Sequence, residues 1–83
     1  MDDTEIWKAA AATVSRVFKI PQDKISMLTK QEDLEMWDSL GHIQLFLALE
    51  QHLKISFELG EIEKAHTVGD IVALIKKRNK GEA

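Results

Sequence analysis

The chain has 83 residues and a mass of 9.4 kDa, which leaves room for one small domain but little interior for a deep catalytic cleft. Apolar residues make up 45% and charged residues 30% of it, the proportions of a folded globular domain rather than of a disordered chain. The absence of cysteine excludes disulfides, thiolate nucleophiles and cysteine-based metal sites. We therefore expect a single domain over residues 1–83 that is not an enzyme and whose function lies on its surface.

The charge distribution argues against a membrane or nucleic-acid partner. The first five residues include three acids and no base, unlike a signal or transit peptide, and no apolar run approaches the roughly 18 residues of a membrane span. Bases are concentrated near the end of the chain, where they are suited to the negative end of a helix dipole: Lys76, Lys77, Arg78 and Lys80. The net charge is −3, and we expect no nucleic-acid partner and no membrane span. Without cysteine or a targeting segment, we expect a cytoplasmic protein, and we expect it to be a monomer.

The first helix is predicted over residues 4–18. Its apolar residues recur at helical spacing, and Pro21 ends the pattern: Ile6, Ala10, Val14, Val17 and Phe18. Residues 19–37 show no sustained period, which predicts a long loop pinned by four isolated apolar residues, Ile25, Leu28, Leu34 and Met36. A loop this long in a small domain is more often functional than idle.

The second helix is predicted over residues 39–53, with Asp38 as its N-cap because a carboxylate can accept from the free N–H groups of the first turn. One apolar stripe is suited to the core and comprises His42, Leu45, Phe46, Leu49 and Leu53. A second stripe of Leu40, Ile43 and Leu47 is either buried in a central helix or forms a surface for a partner or ligand. Gly41 and Ala48 are predicted to lie on the side opposite the stripes.

Two further helices complete an all-α prediction. Ser56 can cap a short helix containing Phe57 to Ile62, which Gly60 weakens by about 1 kcal/mol relative to alanine. Thr67 and Asp70 form the pattern of a capping box, and the helix that follows ends near Lys77. The expected fold is a four-helix bundle with a long loop between helices 1 and 2 and a short third helix.

The chain contains no recognisable constellation for catalysis. His42, His52 and His66 do not have the spacing of metal ligands, and no Ser/His/Asp triad can be assembled with conviction. The four glycines are isolated, so no phosphate-binding glycine-rich loop is present. We therefore predict neither catalytic residues nor a metal site.

Ser39 has the most informative position of any polar residue. It places a hydroxyl at the first residue of a strongly apolar helix, directly after the long loop. A helix N-terminus offers free N–H groups and the positive end of a dipole, so a phosphate attached there would be favoured. A serine after an N-cap aspartate is also an ordinary helix start, so this position alone does not decide between the two interpretations.

The motifs around Ser39 resemble those of acyl carrier proteins, over essentially the whole chain. The resemblance rests on Trp37-Asp38-Ser39-Leu40-Gly41-His42-Ile43, on Leu45, Ala48-Leu49-Glu50, Leu53 and Ile55, and on Glu63-Lys64 and Thr67-Val68-Gly69-Asp70-Ile71. An acidic middle agrees with it, since residues 35–65 carry six acids against two bases.

The resemblance implies that Ser39 carries 4′-phosphopantetheine, transferred from coenzyme A by a phosphopantetheinyl transferase. Since the chain has no cysteine, only the thiol of such a cofactor could hold an acyl group as a thioester. By the family pattern, Asp38 would present Ser39, and Leu40 would border the arm. Ile43 and Leu47 would contact the arm or the enzymes that load and process the acyl group.

Two departures from the fatty-acid synthesis pattern favour a specialised pathway. The residues just after the serine are Gly41, His42 and Gln44 instead of acids, and three residues rather than two separate Leu34 from Asp38, the last being Trp37. We predict a stand-alone carrier for a specialised biosynthetic pathway. An aminoacyl or peptidyl carrier and a helical interaction module without a prosthetic group remain alternatives, and the residues do not select the cargo.

Overall fold

Four α-helices make up the fold, as predicted: α1 (Asp3–Phe18), α2 (Ser39–Leu53), α3 (Leu59–Lys64) and α4 (Val68–Gly81). The computed structural model describes residues 2–81, with side chains described as far as Arg78. In this part of the chain the only β-type pairing is an isolated bridge between Lys30 and Thr67. None of the helices is long and apolar enough to cross a membrane within the described residues.

Helix α1 begins one residue before its predicted start because Asp2 caps it. The Asp2 carboxylate accepts from the Glu5 N–H at 2.8 Å, and the Glu5 carboxylate accepts from the Asp2 N–H at 3.3 Å. The last residue of the helix is Phe18, and its C-cap Lys19 adopts a left-handed conformation with φ 57°. Termination therefore occurs two residues before Pro21, at a C-cap.

The core lies where α1 packs against α2 and α4. It contains the predicted apolar faces of the three longer helices: Ile6, Ala10, Val14 and Phe18 of α1, Leu45, Phe46 and Leu49 of α2, and Val68, Ile71, Val72 and Ile75 of α4. Burying each large apolar side chain stabilises the fold by roughly 1.5 to 3 kcal/mol. The short α3 has no fully buried residue, but its half-buried Ile62 packs against this core.

The loop between α1 and α2 is anchored differently from the prediction. Ile25 is buried and Leu34 is half-buried, but Leu28 and Met36 are 81% and 53% exposed, so two of the four predicted anchors are wrong. The main anchor is Trp37, which is 1% exposed and stacks on Phe18 with ring centroids 5.5 Å apart. Two 3-10 turns, Gln22–Lys24 and Gln31–Asp33, give the loop local structure.

Backbone hydrogen bonds attach the same loop to the start of α4. The N–H groups of Val68 and Gly69 donate to the carbonyls of Thr29 and Met27, both at 2.9 Å. The first turn of a helix has N–H groups with no intrahelical partner, and here the loop supplies two of the acceptors. The loop is therefore held against the helices by hydrogen bonds as well as by its buried side chains.

Helix α3 begins later than predicted. Its N-cap is Glu58 rather than Ser56, and the Glu58 N–H donates to the Glu61 carboxylate at 3.0 Å. Glu61 is the third residue of the helix, and a side chain at this position can return to the backbone N–H of the N-cap residue. The helix is six residues long, as short as the prediction required.

The start of α4 confirms the predicted capping box, and its end differs. The Asp70 N–H donates to the Thr67 hydroxyl at 2.9 Å, while the Asp70 carboxylate accepts from the Thr67 N–H at 3.2 Å. The helix continues to Gly81, four residues beyond the predicted end at Lys77. The basic stretch at the end of the chain thus lies within α4.

Candidate functional site

The N-terminus of α2 presents Ser39 to solvent. Asp38 caps the helix, as predicted: its Oδ1 accepts from the Gly41 N–H at 2.8 Å, and its carbonyl accepts from the His42 N–H at 2.8 Å. The observed bounds, Ser39–Leu53, equal the predicted ones. Ser39 is the first helical residue, and Ser39, Asp38 and Leu40 are all exposed.

The electrostatics of this end of α2 favour an anion on the serine. The N–H groups of Ser39 and Leu40 precede the first intrahelical hydrogen bond and have no partner within the helix. Together with the helix dipole they make a phosphate on the Ser39 hydroxyl favourable. An accessible hydroxyl beside unpaired N–H groups fits a phosphodiester-linked group.

Gly41 and His42, the third and fourth residues of α2, are buried. Gly41, predicted to lie on the side opposite the stripes, instead faces the loop: a Cβ at this position would lie well inside van der Waals distance of the Met36 carbonyl oxygen. Only a residue without a side chain permits this approach. The loop can therefore pass directly over the first turn of α2.

His42 is buried and makes two side-chain hydrogen bonds. The Trp37 indole Nε1–H donates to His42 Nδ1 at 2.8 Å, and His42 Nε2 lies 2.5 Å from the Ile62 carbonyl oxygen. The sequence placed His42 in the core stripe, but the Trp37 contact was missed. An aromatic residue directly before the N-cap, with a histidine on an apolar face, was the available signal.

Leu40, Ile43 and Leu47 form an exposed apolar face on α2, hereafter the apolar face. They are 65%, 54% and 52% exposed, which excludes the alternative that both stripes of this helix are buried. All three lie on one side of α2, next to the core-facing residues of the same helix. The prediction of a second stripe distinct from the core is confirmed.

A small groove continues the apolar face towards α3. Its volume is about 150 Å³, and its walls come from α2 and α3: Ile43, Phe46, Leu47, Glu50, Leu59 and Ile62. Leu59 adds a further exposed apolar side chain, 71% in contact with solvent. A larger cavity of about 680 Å³ lies between α3 and α4, and no residue of α2 lines it.

None of the fully exposed residues of α2 is an acid. Glu50 is the single acidic residue of the helix, is only half-exposed, and accepts a hydrogen bond from the Phe57 N–H at 2.9 Å. The exposed polar residues of the helix are Ser39, Gln44, Gln51 and His52. The residues of α2 therefore add little to any long-range attraction of a basic partner.

The histidines are not grouped for metal binding. Over the described residues, no three side chains of the ligating types come together in a way that could hold a metal ion. His42 has both ring nitrogens occupied by hydrogen bonds, whereas His52 and His66 are exposed.

The comparisons with known proteins agree with this geometry. The family model described as "phosphopantetheine attachment site" matches residues 8–75. The chain is 35% identical over 77 residues to an acyl carrier protein of Lactobacillus johnsonii, covering 92% of this chain and 95% of that protein.

Among solved structures, the solution NMR structure of a holo acyl carrier protein from Geobacter metallireducens superimposes with a TM-score of 0.81 at 34% identity. The match covers 92% of this chain and 87% of that one. Members of this family are carriers rather than enzymes, and they bear a covalently attached phosphopantetheine. On sequence, fold and the accessible serine at a capped helix N-terminus, the chain belongs to the acyl carrier protein family.

Proposed function

We propose that this carrier holds acyl groups as thioesters on a 4′-phosphopantetheine arm attached to Ser39. The observation that supports the assignment is the exposed Ser39 hydroxyl at the first residue of α2, next to N–H groups with no helical partner. When attached, the arm supplies the thiol that a chain without cysteine lacks.

The residues around Ser39 would present it rather than react. Asp38 holds the first turn of α2 by accepting from Gly41, so the serine hydroxyl stays at a defined place. Leu40, the exposed residue next to Ser39, would border the arm. A tethered acyl group then has a high effective concentration at any enzyme that docks the carrier.

The apolar face is proposed as the surface that the transferase and the acyl-loading and acyl-processing enzymes contact. The face begins at Leu40, the residue after the proposed attachment residue, and runs along α2 through Ile43 and Leu47. The matched family range spans all four helices, which supports a single carrier domain.

A specialised biosynthetic pathway is supported by the absence of acids among the fully exposed residues of α2. Two of the residues on which the sequence argument depended, Gly41 and His42, are buried, so they do not meet a partner directly. Trp37 is likewise inside the core. The support therefore comes from Gln44, from the exposed apolar face, and from Glu50 being engaged by Phe57.

Intact-mass measurement after incubation with coenzyme A, magnesium and a broad-specificity transferase tests the attachment. We expect the chain to gain one phosphopantetheine and Ser39→Ala to gain none while keeping its helical circular dichroism. Ser56→Ala, which alters another exposed serine, is the matched control and should be modified like the wild type. A modified Ser39→Ala would move the site to another hydroxyl, and an unmodified wild type would favour the interaction module.

A further inference from the structure

A chain of three groups crosses from the loop through α2 to α3. Trp37 lies two residues before Ser39, His42 lies three residues after it, and Ile62 belongs to α3. The Trp37 indole donates to His42 Nδ1 at 2.8 Å, and His42 Nε2 lies 2.5 Å from the Ile62 carbonyl oxygen. The two contacts are buried or part-buried, where a polar group without a partner is costly.

The two contacts together require one form of the His42 ring. An indole N–H can only donate, so Nδ1 must be the acceptor; a backbone carbonyl can only accept, so Nε2 must carry the hydrogen. The neutral Nε2–H tautomer satisfies both partners, and no other form of the ring does. His42 thus bridges the loop and α3: it accepts a hydrogen bond from Trp37 and donates one to Ile62.

Helix α3 buries little apolar surface, and Ile62 is its side chain that packs against the core. It has no fully buried side chain, and Ile62 is half-buried. Across the described residues, the His42–Ile62 contact is the one hydrogen bond that joins α2 to α3. On the opposite side, Glu61 joins α3 to α4 through Lys77 and Arg78.

The bridge also sets the position of one wall of the groove. Ile62 lines that groove from α3, and Phe46 lines it from α2 while packing edge-on against the His42 ring at 5.1 Å. Displacement of α3 would therefore change the surface beside the apolar face without altering α2 itself.

We propose that His42 is a positioning residue: its hydrogen bonds to Trp37 and Ile62, hereafter the tie, hold α3 against the end of α2 that presents Ser39. The transferase then meets an α2–α3 surface of fixed geometry. This inference rests on the proposed attachment at Ser39. Loss of the tie should weaken recognition of the carrier while leaving the serine hydroxyl and its cap intact.

Three variants test the tie. His42→Leu fills the space but removes both hydrogen bonds, whereas His42→Gln retains a donor and an acceptor on one side chain. His52→Leu makes the same replacement at an exposed histidine of the same helix and is the matched control. Each variant is compared with the wild type by amide hydrogen exchange and by steady-state kinetics of phosphopantetheine addition.

We expect His42→Leu to speed the exchange of α3 amides by on the order of tenfold, with α1 amides unchanged. The transferase KM should rise severalfold while kcat stays within about twofold, since docking is affected rather than the hydroxyl. His42→Gln should restore most of the wild-type exchange rate and KM, and His52→Leu should match the wild type in both. Equal exchange in His42→Leu and wild type, or faster exchange spread evenly over α1 and α4, would overturn the proposal.

If His42→Leu does not fold, nitrogen NMR of the His42 ring in the wild type tests the tie instead. An Nε2–H tautomer with a slowly exchanging Trp37 indole supports the tie, and an Nδ1–H tautomer or a freely exchanging indole refutes it. These measurements are independent of the arm, so a wild type that accepts no phosphopantetheine would count against the proposed function and not against the tie.

Discussion

Gly41 and Gly60 both lie inside helices, where glycine costs about 1 kcal/mol relative to alanine, yet only Gly41 has a structural requirement. The absence of a side chain at Gly41 lets the Met36 carbonyl pass over the first turn of α2, and the Phe18 ring would lie 3.1 Å from an added Cβ. A Cβ added at Gly60 would have no other atom within 4 Å. The residue type beneath Ser39 is thus dictated by the loop.

This contrast predicts opposite effects for one substitution at two sites. Gly41→Ala should destabilise the fold by roughly 1 to 3 kcal/mol, because the loop backbone must move. Gly60→Ala should stabilise it by about 0.5 to 1 kcal/mol through helix propensity. Urea unfolding of the two variants measures both. Equal shifts of the same sign would show that the close approach at Gly41 does not exist.

At the scale of the element, α2 separates its structural and binding roles onto different sides. His42, Leu45 and Leu49 face the core, while Leu40, Ile43 and Leu47 remain about half or more exposed. Because the second group is already solvated, truncating it removes binding surface with little cost in folding. Substitutions on the exposed side of α2 can therefore change partner binding while the packing of the bundle is kept.

Docking on α2 should accordingly depend on apolar contact. Ile43→Ala or Leu47→Ala should weaken loading by the dedicated partner by about 1 to 2 kcal/mol each, or roughly 5- to 30-fold in the concentration required. Gln44→Ala, which alters an exposed polar neighbour, and moderate salt should change loading little, since surface charge pairs contribute about 0 to 1 kcal/mol.

Loading kinetics of these variants, with urea unfolding to show that each remains folded, test the prediction. Glu50→Gln supplies the charge comparison, although Glu50 also holds the Phe57 N–H. A loading rate that collapses in salt or in Glu50→Gln, while both apolar variants stay active, would contradict apolar docking.

At the scale of the whole molecule, charges distant in sequence attach α3 to α4. The Glu61 side chain is only 12% exposed and bonds to Arg78, 17 residues away, and to Lys77 at 3.2 Å. The Glu58 N–H, then Arg78 and Lys77, lower the pKa of Glu61 from 4.5 to about 2. Each of these partners favours the ionised carboxylate.

Acid should therefore weaken this attachment over a defined range. A carboxyl group whose pKa is lowered by folding contributes stability above its unfolded pKa of 4.5, and loses that contribution as the pH falls through about 2. The free energy of unfolding of the wild type should exceed that of Glu61→Gln at neutral pH, and the difference should shrink from pH 4.5 downward.

Urea unfolding across this range, with Glu63→Gln as an exposed control on the same helix, measures the difference. A wild-type advantage that persists unchanged to pH 2 would show that the ionised form of Glu61 is not what stabilises the fold.

The features that the sequence predicted by itself are those whose cause is local. Asp38 caps α2 and Thr67 and Asp70 cap α4 through partners three residues away, so the starts of both helices follow from neighbouring residues. The position of Ser39 at the first residue of α2 and the separation of two apolar stripes follow in the same way from helical spacing.

The features that only the tertiary structure decided are those that join segments distant along the chain. Nothing local distinguishes Leu28, which is exposed, from Ile25, which is buried, because the loop's contacts with α4 determine which of them faces the core. The burial of Gly41 follows from the path of Met36 across α2, and the His42 tie needs Ile62, 20 residues away. Burial and hydrogen bonding at such separations depend on how the elements pack, which sequence periodicity does not encode.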